Sequence, residues 1–575
     1  MLQLQSLLTP SSHSYPINSN IYGTTISGAP LPIIETNNTL KHPENVSFSA
    51  GEGTYVLRDD IHLATPPPHP SEAPVIDRNP LATTPHNVTS GTKITLVPTA
   101  TLAADPGPPA PAFAIAAVAP TAPGSRDGSG TNGSSSSAAA VEGWTVIRGD
   151  KESQTSGETD DEAAEKFGEG NKSLSAAQGG PRKKRQTQNI VKSNSSFVSR
   201  TITHDKFEKR MGERRTEGLV GIVNINRALE WLDMESAIKH EPLTKILFTK
   251  AHPLCHDINP LTRSPTCLDV IIGFSTGDII WFEPFSNKYT RINKNGLINT
   301  SAVTSISWLP QSPSLFLAAH ADGSLIVYDR NKDDSPFVPE AIGHPGNSLN
   351  TYFSILKSVS SENQRTNPLS YWNVAKAQIT GFKFSPDKEH LAVVSEDQCL
   401  RVINFVKERL VICHPSYFGA FTCVAWSPDG RYIISGGQDD LVTIWSARDH
   451  RIVARCEGHH SWVTDVAFDP WRCDERTYRF GTVGADCRLL LWDFSEIMLN
   501  KPKGRQDEDE VGPATRASVP VLPPVMSKEV DNEPLSQIVF LREAVVTACE
   551  SGCVKWWERP DESRPQTGMG GREGV

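Results

Sequence analysis

The sequence lacks any stretch long and apolar enough to cross a lipid bilayer. Its longest nearly uncharged apolar stretch, PAFAIAAVAPTAP at 111–123, is short and interrupted by proline. The first residues, MLQLQSLLTPSSHSYPINSN, also lack the basic segment followed by an apolar segment that marks a secretory signal. We therefore expect a soluble chain that is neither secreted nor bound in a membrane.

An excess of positive charge is also absent. The chain has 56 Lys and Arg against 66 Asp and Glu, which gives a formal net charge of -10. One local basic run, PRKKR at 181–185, is compatible with nuclear import or loose contact with phosphate. Because no nucleic-acid recognition module accompanies this run, we expect no specific nucleic-acid binding. We expect a cytoplasmic protein, with nuclear entry left open by the basic run.

Cysteine is missing from the first 250 residues, and none of the ten cysteines forms a CxxC pair. Most of them lie singly in apolar runs, as small buried hydrophobic residues do, so we expect reduced thiols. HPLCH at 252–256 has no second ligand pair at zinc spacing nearby. GFSTG at 273–277 fits the GxSxG pattern of hydrolases, but a strand follows it where those enzymes need a helix. We expect no catalytic residue, no metal ligand and no cofactor.

Long segments are too polar or too simple in composition to form a core. Residues 1–45, 104–195, about 499–518 and 561–575 have few apolar residues or are rich in Ser, Gly, Pro and charge. Such segments cannot offset the entropy of ordering, so we predict that they are disordered. Residues 46–103 are predicted to supply N-terminal strands to a folded domain, and 196–560 to form most of that domain.

The folded part repeats itself. Five segments share apolar residues at their first, fourth and sixth places, and three of these begin 42 residues apart, at Ile379, Phe421 and Val463. The five segments are VTSISW, ITGFKF, FTCVAW, VTDVAF and LSQIVF. Each continues into a strand of small residues, a tight turn and a strand that ends in a large apolar residue. Units of short strands at this spacing predict an all-β propeller.

The same turn position carries a short polar side chain in six repeats. The six residues are Thr276, Asp322, Asp397, Asp439, Asp486 and Ser551. Short carboxylates and hydroxyls bond to nearby backbone in reversing turns, so Asp439 and its neighbour Asp440 are interpreted as a structural turn. A catalytic acid/base pair would occur once, whereas these residues recur around the ring.

The repeats resemble the WD-repeat family, through SPDGRYIISGGQDDLVTIWS and GHHSWVTDVAFDP followed by GTVGADCRLLLWD. The resemblance implies a structural hydrogen-bonded tetrad of His459, Thr482, Asp486 and Trp492. Two departures from the family pattern are visible. Gln398 and Cys487 occupy positions where the family usually has glycine, and Ile403 replaces the tryptophan of its repeat, which should therefore lack the full tetrad.

Counting the repeats gives seven blades. We take PLCHDIN at 253–259 as the first strand of one blade and LTKILF at 243–248 as an outer strand of the preceding one. That preceding blade would combine TKITLVPT at 93–100 with two strands in 218–233; a helix over NRALEWLDMESAIK is the alternative. GTYVLRDDIHL at 53–63 is predicted to add an outer strand to the last blade and to close the ring.

Longer stretches, including TKILFTKAHPLCHDINPLTRSPTCLDVIIGFSTGDIIWFEP, resemble one group within the family, the CreC-type fungal catabolite repression proteins and their animal relatives. The resemblance covers about 50–100 and 190–560. It implies a non-catalytic partner that binds and stabilises or activates a ubiquitin-specific deubiquitinase (CreB-like) in carbon catabolite repression. Two other interpretations stay open: a substrate receptor of a ubiquitin ligase, and an enzyme.

Loops on a rigid propeller can present aromatic anchors to a partner. Phe418 and Trp462 each lie just before a blade's first strand, in neighbouring repeats, and are the main candidates for partner contact. Tyr417 and Trp372 are weaker candidates. For Trp462, packing at the edge of a blade is the competing interpretation.

Overall fold

A computed structural model describes residues 46–63, 91–98, 166–175, 185–191, 197–213, 218–338, 352–495 and 519–560. In these residues the chain forms seven sheets of four or five strands, each of which is a blade. The prediction of an all-β, seven-bladed propeller is confirmed. The predicted disorder of 1–45, about 499–518 and 561–575 lies outside the described residues.

Strands are numbered β1 to β33 along the chain, and each blade is given from its innermost strand outward. Blade one contains β3 (Lys93–Pro98), β6 (Leu219–Ile225), β7 (Ala228–Asp233), β8 (Thr244–Phe248) and β5 (Val198–Thr203). Blade two contains β9 (Pro253–Ile258), β10 (Val270–Phe274), β11 (Ile279–Glu283), β12 (Lys288–Ile292) and β4 (Gln188–Asn189). Blade three contains β13 (Val303–Trp308), β14 (Leu315–His320), β15 (Ser324–Asp329), β17 (Ser370–Asn373) and β16 (Ser354–Lys357).

The inner strands of blades four, five and six begin 42 residues apart, at Ile379, Phe421 and Val463, and that of blade seven begins at Leu535. Blade four contains β18 (Ile379–Phe384), β19 (His390–Ser395), β20 (Cys399–Asn404) and β21 (Arg409–Pro415). Blade five contains β22 (Phe421–Trp426), β23 (Tyr432–Gly437), β24 (Leu441–Ser446), β25 (Arg451–Glu457) and β29 (Val521–Leu522). Blade six contains β26 (Val463–Phe468), β27 (Tyr478–Gly484), β28 (Arg488–Phe494) and β30 (Met526–Glu529). Blade seven contains β31 (Leu535–Phe540), β32 (Ala544–Cys549), β33 (Cys553–Glu558), β2 (Gly53–His62) and β1 (Ser47–Ala50).

Three short helices accompany the strands in the described part of the chain. They are α1 (Lys172–Ser175), α2 (Phe207–Glu213) and a 3-10 helix (Lys294–Gly296). None of them is long and apolar enough to span a membrane.

The ring closes between the two ends of the chain. Strand β2 pairs antiparallel with β33, so that His62 lies opposite Cys553 and Val56 opposite Glu558. Phe48, Tyr55 and Trp557 then share one buried cluster. The N-terminal strand thus covers an edge that blade seven would otherwise expose, which is the role expected for 53–63.

Blade one is assembled from distant parts of the sequence. Strand β3 pairs with β6 over six residues, from Lys93 opposite Asn224 to Pro98 opposite Leu219. Strands β6 and β7 turn at Asn226, whose φ of 49° is left-handed. Residues 228–233 are all buried, because this segment is a strand packed on both faces rather than the alternative helix.

Two parts of the 104–195 segment correct the prediction that all of it is disordered. In residues 166–175, the Phe167 ring stacks on Phe405 with centroids 4.3 Å apart. In residues 185–191, β4 pairs with β12 at the outer edge of blade two. Each short piece contributes apolar or backbone contacts to a blade. The average composition of the long segment gave no indication of these two ordered pieces.

Neighbouring blades are joined by hydroxyl groups on the innermost strands. Thr380 in β18 donates to the carbonyl of Phe421 at 2.8 Å, and Thr464 in β26 donates to that of Leu535 at 2.6 Å. Thr422 in β22 donates to the carbonyl of Val463 in the same way. Because each bond links the start of one inner strand to the start of the next, these strands keep a common level around the ring.

Candidate partner-binding surface

We use the name channel rim for part of one end of the propeller, made of loops 416–420 and 458–462 and turns 395–399, 437–441 and 484–488. Each loop precedes the innermost strand of its blade, and each turn joins the second and third strands. Backbone bonds tie loops to turns: Gln438 N donates to Ala420 O, and Ala485 N donates to Trp462 O. The loops are therefore held by the blades.

Phe418 is the most prominent aromatic residue on the rim. Its side chain is 59% exposed, and that of its neighbour Tyr417 is 37% exposed. Ser416 fixes the loop by donating its hydroxyl to the Phe418 carbonyl at 2.9 Å and its backbone N–H to Gln398 O at 2.7 Å. Gly419 follows with φ of 66°, a turn that lacks room for a Cβ beside Gln438. Phe418 is thus displayed by a fixed loop.

Trp462 occupies a different place on the same rim. It is half-buried and lines the mouth of the central channel, a cavity of about 1180 Å³ bounded by the seven innermost strands. The structure therefore places Phe418 on an outward loop and Trp462 at the channel mouth, in neighbouring blades. The rim thus carries one exposed and one half-buried aromatic side chain.

Trp372 is not a surface residue, which removes it from the set of candidate contacts. It is 1% exposed, and its indole N–H donates to the Glu408 carboxylate at 3.2 Å. Its ring packs against Phe405, with centroids 5.4 Å apart. The sequence placed it in a long loop, whereas it belongs to β17, the fourth strand of blade three, where a large apolar side chain fills the space between blades.

The four side chains of the expected tetrad form one chain of hydrogen bonds in blade six. His459 Nδ1 lies 3.0 Å from Asp486 Oδ2, and His459 Nε2 lies 2.8 Å from Thr482 Oγ1. The indole N–H of Trp492 donates to the same hydroxyl at 2.9 Å. Burial alone would raise the pKa of Asp486, but the bond and charge of His459 hold it below its usual value. The tetrad pins loop 458–462 to turn 484–488 and so supports Trp462.

The other turn aspartates bond to their own turns. Asp322 accepts from the backbone N–H of Ser324 at 3.0 Å, and Asp439 accepts from Leu441 N at 3.3 Å. Asp397 instead pairs with Arg401. The residue after each aspartate has positive φ, including Gln398 at 67°, Asp440 at 62° and Cys487 at 62°. Polar and small side chains tolerate this conformation, so the family glycine is dispensable at these positions.

The residues of GFSTG and HPLCH make contacts that stabilise the fold. Ser275 of GFSTG accepts a hydrogen bond from the backbone N–H of His252 at 3.0 Å and lies in a strand-to-strand turn. His256 of HPLCH faces Asn224 at 2.8 Å, and burial lowers its pKa to about 4. A neutral imidazole held by an amide stabilises the contact between blades one and two.

Sequence reasoning did not find Gln438, which fixes the Phe418 loop through its side chain as well as its backbone. Its amide oxygen accepts from Ala420 N at 3.3 Å. Gln438 directly precedes the turn aspartate, and that adjacency was the one available signal.

Comparison with known proteins gives the family. The WD40 profile, described as WD domain, G-beta repeat, matches residues 368–404 and 409–446. A protein of Schizosaccharomyces pombe named "UBP9-binding protein bun62" is 39% identical over 412 residues, which cover 64% of this chain and 75% of that protein. A chain in "Crystal Structure of Mitotic Checkpoint Complex" aligns with 66% of this chain and 97% of its own length, at 12% identity and a TM-score of 0.42. The profile match and the yeast relative show that this chain belongs to the WD-repeat family.

Proposed function

We propose that this chain is a non-catalytic scaffold that binds a ubiquitin-specific deubiquitinase and stabilises or activates it. The observation that carries the proposal is the 39% identity with a protein named for binding UBP9, a ubiquitin-specific protease, over three quarters of that protein's length. At this level of identity two chains share their fold, so a shared class of partner is the simplest inference.

The channel rim supports the proposal physically. Loop 416–420 is tied to turns 395–399 and 437–441, so binding there orders little additional backbone. An exposed Phe418 beside Tyr417 supplies apolar area of the kind that dominates interface energies. Trp462, recessed at the channel mouth, can receive an inserted side chain of the partner. We propose that Phe418 and Trp462 are the main contacts and Tyr417 a lesser one.

Binding would act on the deubiquitinase through its folded state. A scaffold that binds only the folded enzyme stabilises it by RT ln(1 + [L]/Kd), where [L] is the free scaffold concentration, and this lowers the rate of proteolysis. A scaffold that prefers one arrangement of the catalytic loops raises the population of that arrangement and therefore the activity. Comparing enzyme half-life with turnover, with and without the scaffold, separates these two effects.

The test is purification of the tagged chain from its own cells, followed by identification of bound proteins by mass spectrometry. A Phe418→Ala/Trp462→Ala variant is compared with a matched control, Val521→Ala/Val525→Ala. The control residues are 48% and 45% exposed and lie next to β25 and β28, on the outer edges of blades five and six, whereas Phe418 and Trp462 precede innermost strands. Circular dichroism verifies that each variant is folded.

Recovery of a ubiquitin-specific protease with the parent and the control, and its loss from the rim variant, would support both partner and surface. Recovery with all three chains would support the partner and refute the rim. Ubiquitin ligase subunits in place of a protease would favour the substrate-receptor alternative and overturn the proposal.

We further propose a role in carbon catabolite repression and a cytoplasmic location with access to the nucleus. The resemblance to the catabolite repression group supports the first, and PRKKR at 181–185 supports nuclear access. Arg185, the last residue of this run, is already paired with Asp334 at 2.5 Å. Deleting 181–184 tests nuclear access while keeping that ion pair. Unchanged distribution of a fluorescent fusion would argue against nuclear import through this run.

A further inference from the structure

Two cysteines of blade seven lie beside the N-terminal strand that closes the ring. Cys549 ends β32 and Cys553 begins β33, so the two thiols flank a three-residue turn. Both are buried. Cys553 Sγ donates to Asp60 Oδ1 of β2 at 3.1 Å, across the seam between the two ends of the chain.

A histidine completes this group. Strand pairing sets His62 opposite Cys553 and Asp60 opposite Lys555, and His62 Nε2 lies 3.1 Å from Asp60 Oδ1. Residues two apart on a strand share a face, so Asp60 and His62 point to the same side as Cys553. The donor atoms of Asp60, His62 and Cys553 lie within 4.8 Å of one another, and Cys549 and Cys553 share a second such group with Asp531.

We propose that Cys549, Cys553, Asp60 and His62 bind one zinc ion across the ring closure. Two thiolates, one carboxylate and one imidazole form a donor set that suits a closed tetrahedral zinc site. Bonds of about 2.0–2.3 Å place the ligand atoms of such a site about 3.3–3.8 Å apart. Cys549 would therefore turn from its group with Asp531 toward Asp60 and His62, so that all four side chains reach one ion.

Hydrogen-bond donors surround the Cys549 sulfur. Cys549 Sγ accepts from the backbone N–H of Cys553 at 3.3 Å and lies 3.1 Å from the Ser551 hydroxyl. N–H groups directed at sulfur are the outer contacts that orient and stabilise metal-bound thiolates.

Asp531 is excluded as a main ligand because its oxygens are already in use. One oxygen lies 2.9 Å from the Lys555 ammonium, and the other accepts from Asn532 N at 2.8 Å. A zinc ion held by two thiolates, one carboxylate and one neutral imidazole carries one net negative charge, and Lys555, opposite Asp60, lies beside it to offset that charge. The ion would then connect β2 to blade seven by coordinate bonds in addition to strand pairing.

The experiment uses the full reduced chain, stripped of metal and titrated first with Co²⁺ and then with Zn²⁺. We expect one Co²⁺ per chain, with the absorption bands of tetrahedral thiolate coordination, displaced by Zn²⁺. Zinc should also raise the melting temperature and slow proteolysis within 53–62, because binding favours the folded state.

Variants decide the ligands. Cys549→Ser/Cys553→Ser should lose the cobalt bands, whereas the matched control Cys267→Ser/Cys487→Ser, at two partly exposed cysteines elsewhere, should keep them. His62→Ala should weaken zinc binding at least about tenfold. Because His62 is 73% exposed, this variant keeps the fold and carries the test if the double serine variant does not fold.

Three results would overturn the proposal. One is no stoichiometric cobalt or zinc binding by the reduced chain. Another is a variant that binds metal as the parent does: cobalt absorption bands that persist in Cys549→Ser/Cys553→Ser, or an unchanged zinc affinity in His62→Ala. A third is a Cys549–Cys553 disulfide in the isolated protein that, once reduced, leaves thiols that take up no metal.

Discussion

Blades four and six hold the same turn carboxylate in two different ways. In blade six, His459 links Asp486 to Thr482, and Trp492 completes the tetrad. In blade four, Ile403 stands in place of the tryptophan, and Arg401 donates to Asp397 at 2.7 Å and to Ser395 at 2.9 Å. The comparison shows that different side chains can hold a half-buried turn carboxylate at the same place in a blade.

The two solutions also differ in charge. Arg401 is 3% exposed and forms two hydrogen bonds to the Asp397 carboxylate. A buried guanidinium is stable only while its counter-charge remains, so blade four depends on one ion pair. Blade six spreads the same task over four side chains, and removing any one leaves the others partly bonded.

The largest expected effect comes from breaking the ion pair of blade four. Arg401→Met keeps the apolar stem but leaves Asp397 without its buried counter-charge, which we expect to lower the free energy of unfolding by about 3–4 kcal/mol. Urea unfolding followed by circular dichroism measures it. Arg401→Met/Asp397→Asn removes the stranded charge and should recover part of the loss; equal instability of both variants would refute this account.

The next prediction concerns the contact between blades four and five, where His414 of β21 stacks on Trp445 of β24 with centroids 4.7 Å apart. Burial lowers the pKa of His414 to about 4, below the value of about 6.5 in an unfolded chain. The unfolded state therefore binds a proton first as pH falls, and stability present above pH 6.5 is lost on the way to pH 4.

Because His414 takes up its proton more readily in the unfolded state, the free energy of unfolding should be about 2 kcal/mol lower at pH 4.5 than at pH 7. His414→Phe keeps a ring on Trp445 and cannot take up the proton. The fall in its free energy of unfolding between pH 7 and pH 4.5 should therefore be smaller than that of the parent by about 2 kcal/mol. Urea unfolding at both pH values tests this. The same pH dependence in the parent and the variant would show that His414 is not the group responsible.

An effect of similar size is expected from the blade-six tetrad. Trp492→Phe removes the N–H that donates to Thr482 together with part of the buried ring, so we expect the free energy of unfolding to fall by about 2 kcal/mol. Thr482→Val in the same background should add less than it does alone, because both changes remove one shared bond. Additive losses in a double-mutant cycle would mean that the tetrad does not act as a unit.

The smallest effect concerns the bonds between blades. Thr422→Val removes the hydroxyl that joins blade five to blade six, with an expected cost of about 1 kcal/mol and a lower melting temperature in calorimetry. Thr304→Val is the matched control, because its hydroxyl bonds within its own blade, to Ala319 O at 3.3 Å. If the two variants have the same melting temperature, the hydrogen bond between blades contributes no more to stability than one within a blade.

Much of the fold was predictable because it rests on local, repeated features. The 42-residue spacing, the apolar places of the inner strands and the turn residues from Thr276 to Ser551 follow from the sequence, since each blade must bury the same faces. The pairing of 53–63 with the last blade was predictable because a propeller has to cover its free edge. The tetrad followed from the family resemblance.

Other features could not be found this way. That Arg401 would replace the tetrad of blade four depends on which side chain reaches Asp397 across a turn. Trp372 looked like a loop residue because the spacing gave no sign that β17 would insert beside β15. Phe167 and Arg185 lie in stretches whose average composition indicates disorder, and only contacts with finished blades order them.

By itself, the sequence determined the propeller, its number of blades and the place of the turn aspartates, because alternating apolar residues and short turns allow few other arrangements. Tertiary structure alone decided which residues meet across the ring. It left Phe418 exposed, placed Trp462 at the channel mouth and buried Trp372. It also brought Asp60 beside Cys553, 493 residues away in sequence. Closing the ring brings together segments that are far apart along the chain, and no local sequence pattern predicts which of their side chains will meet.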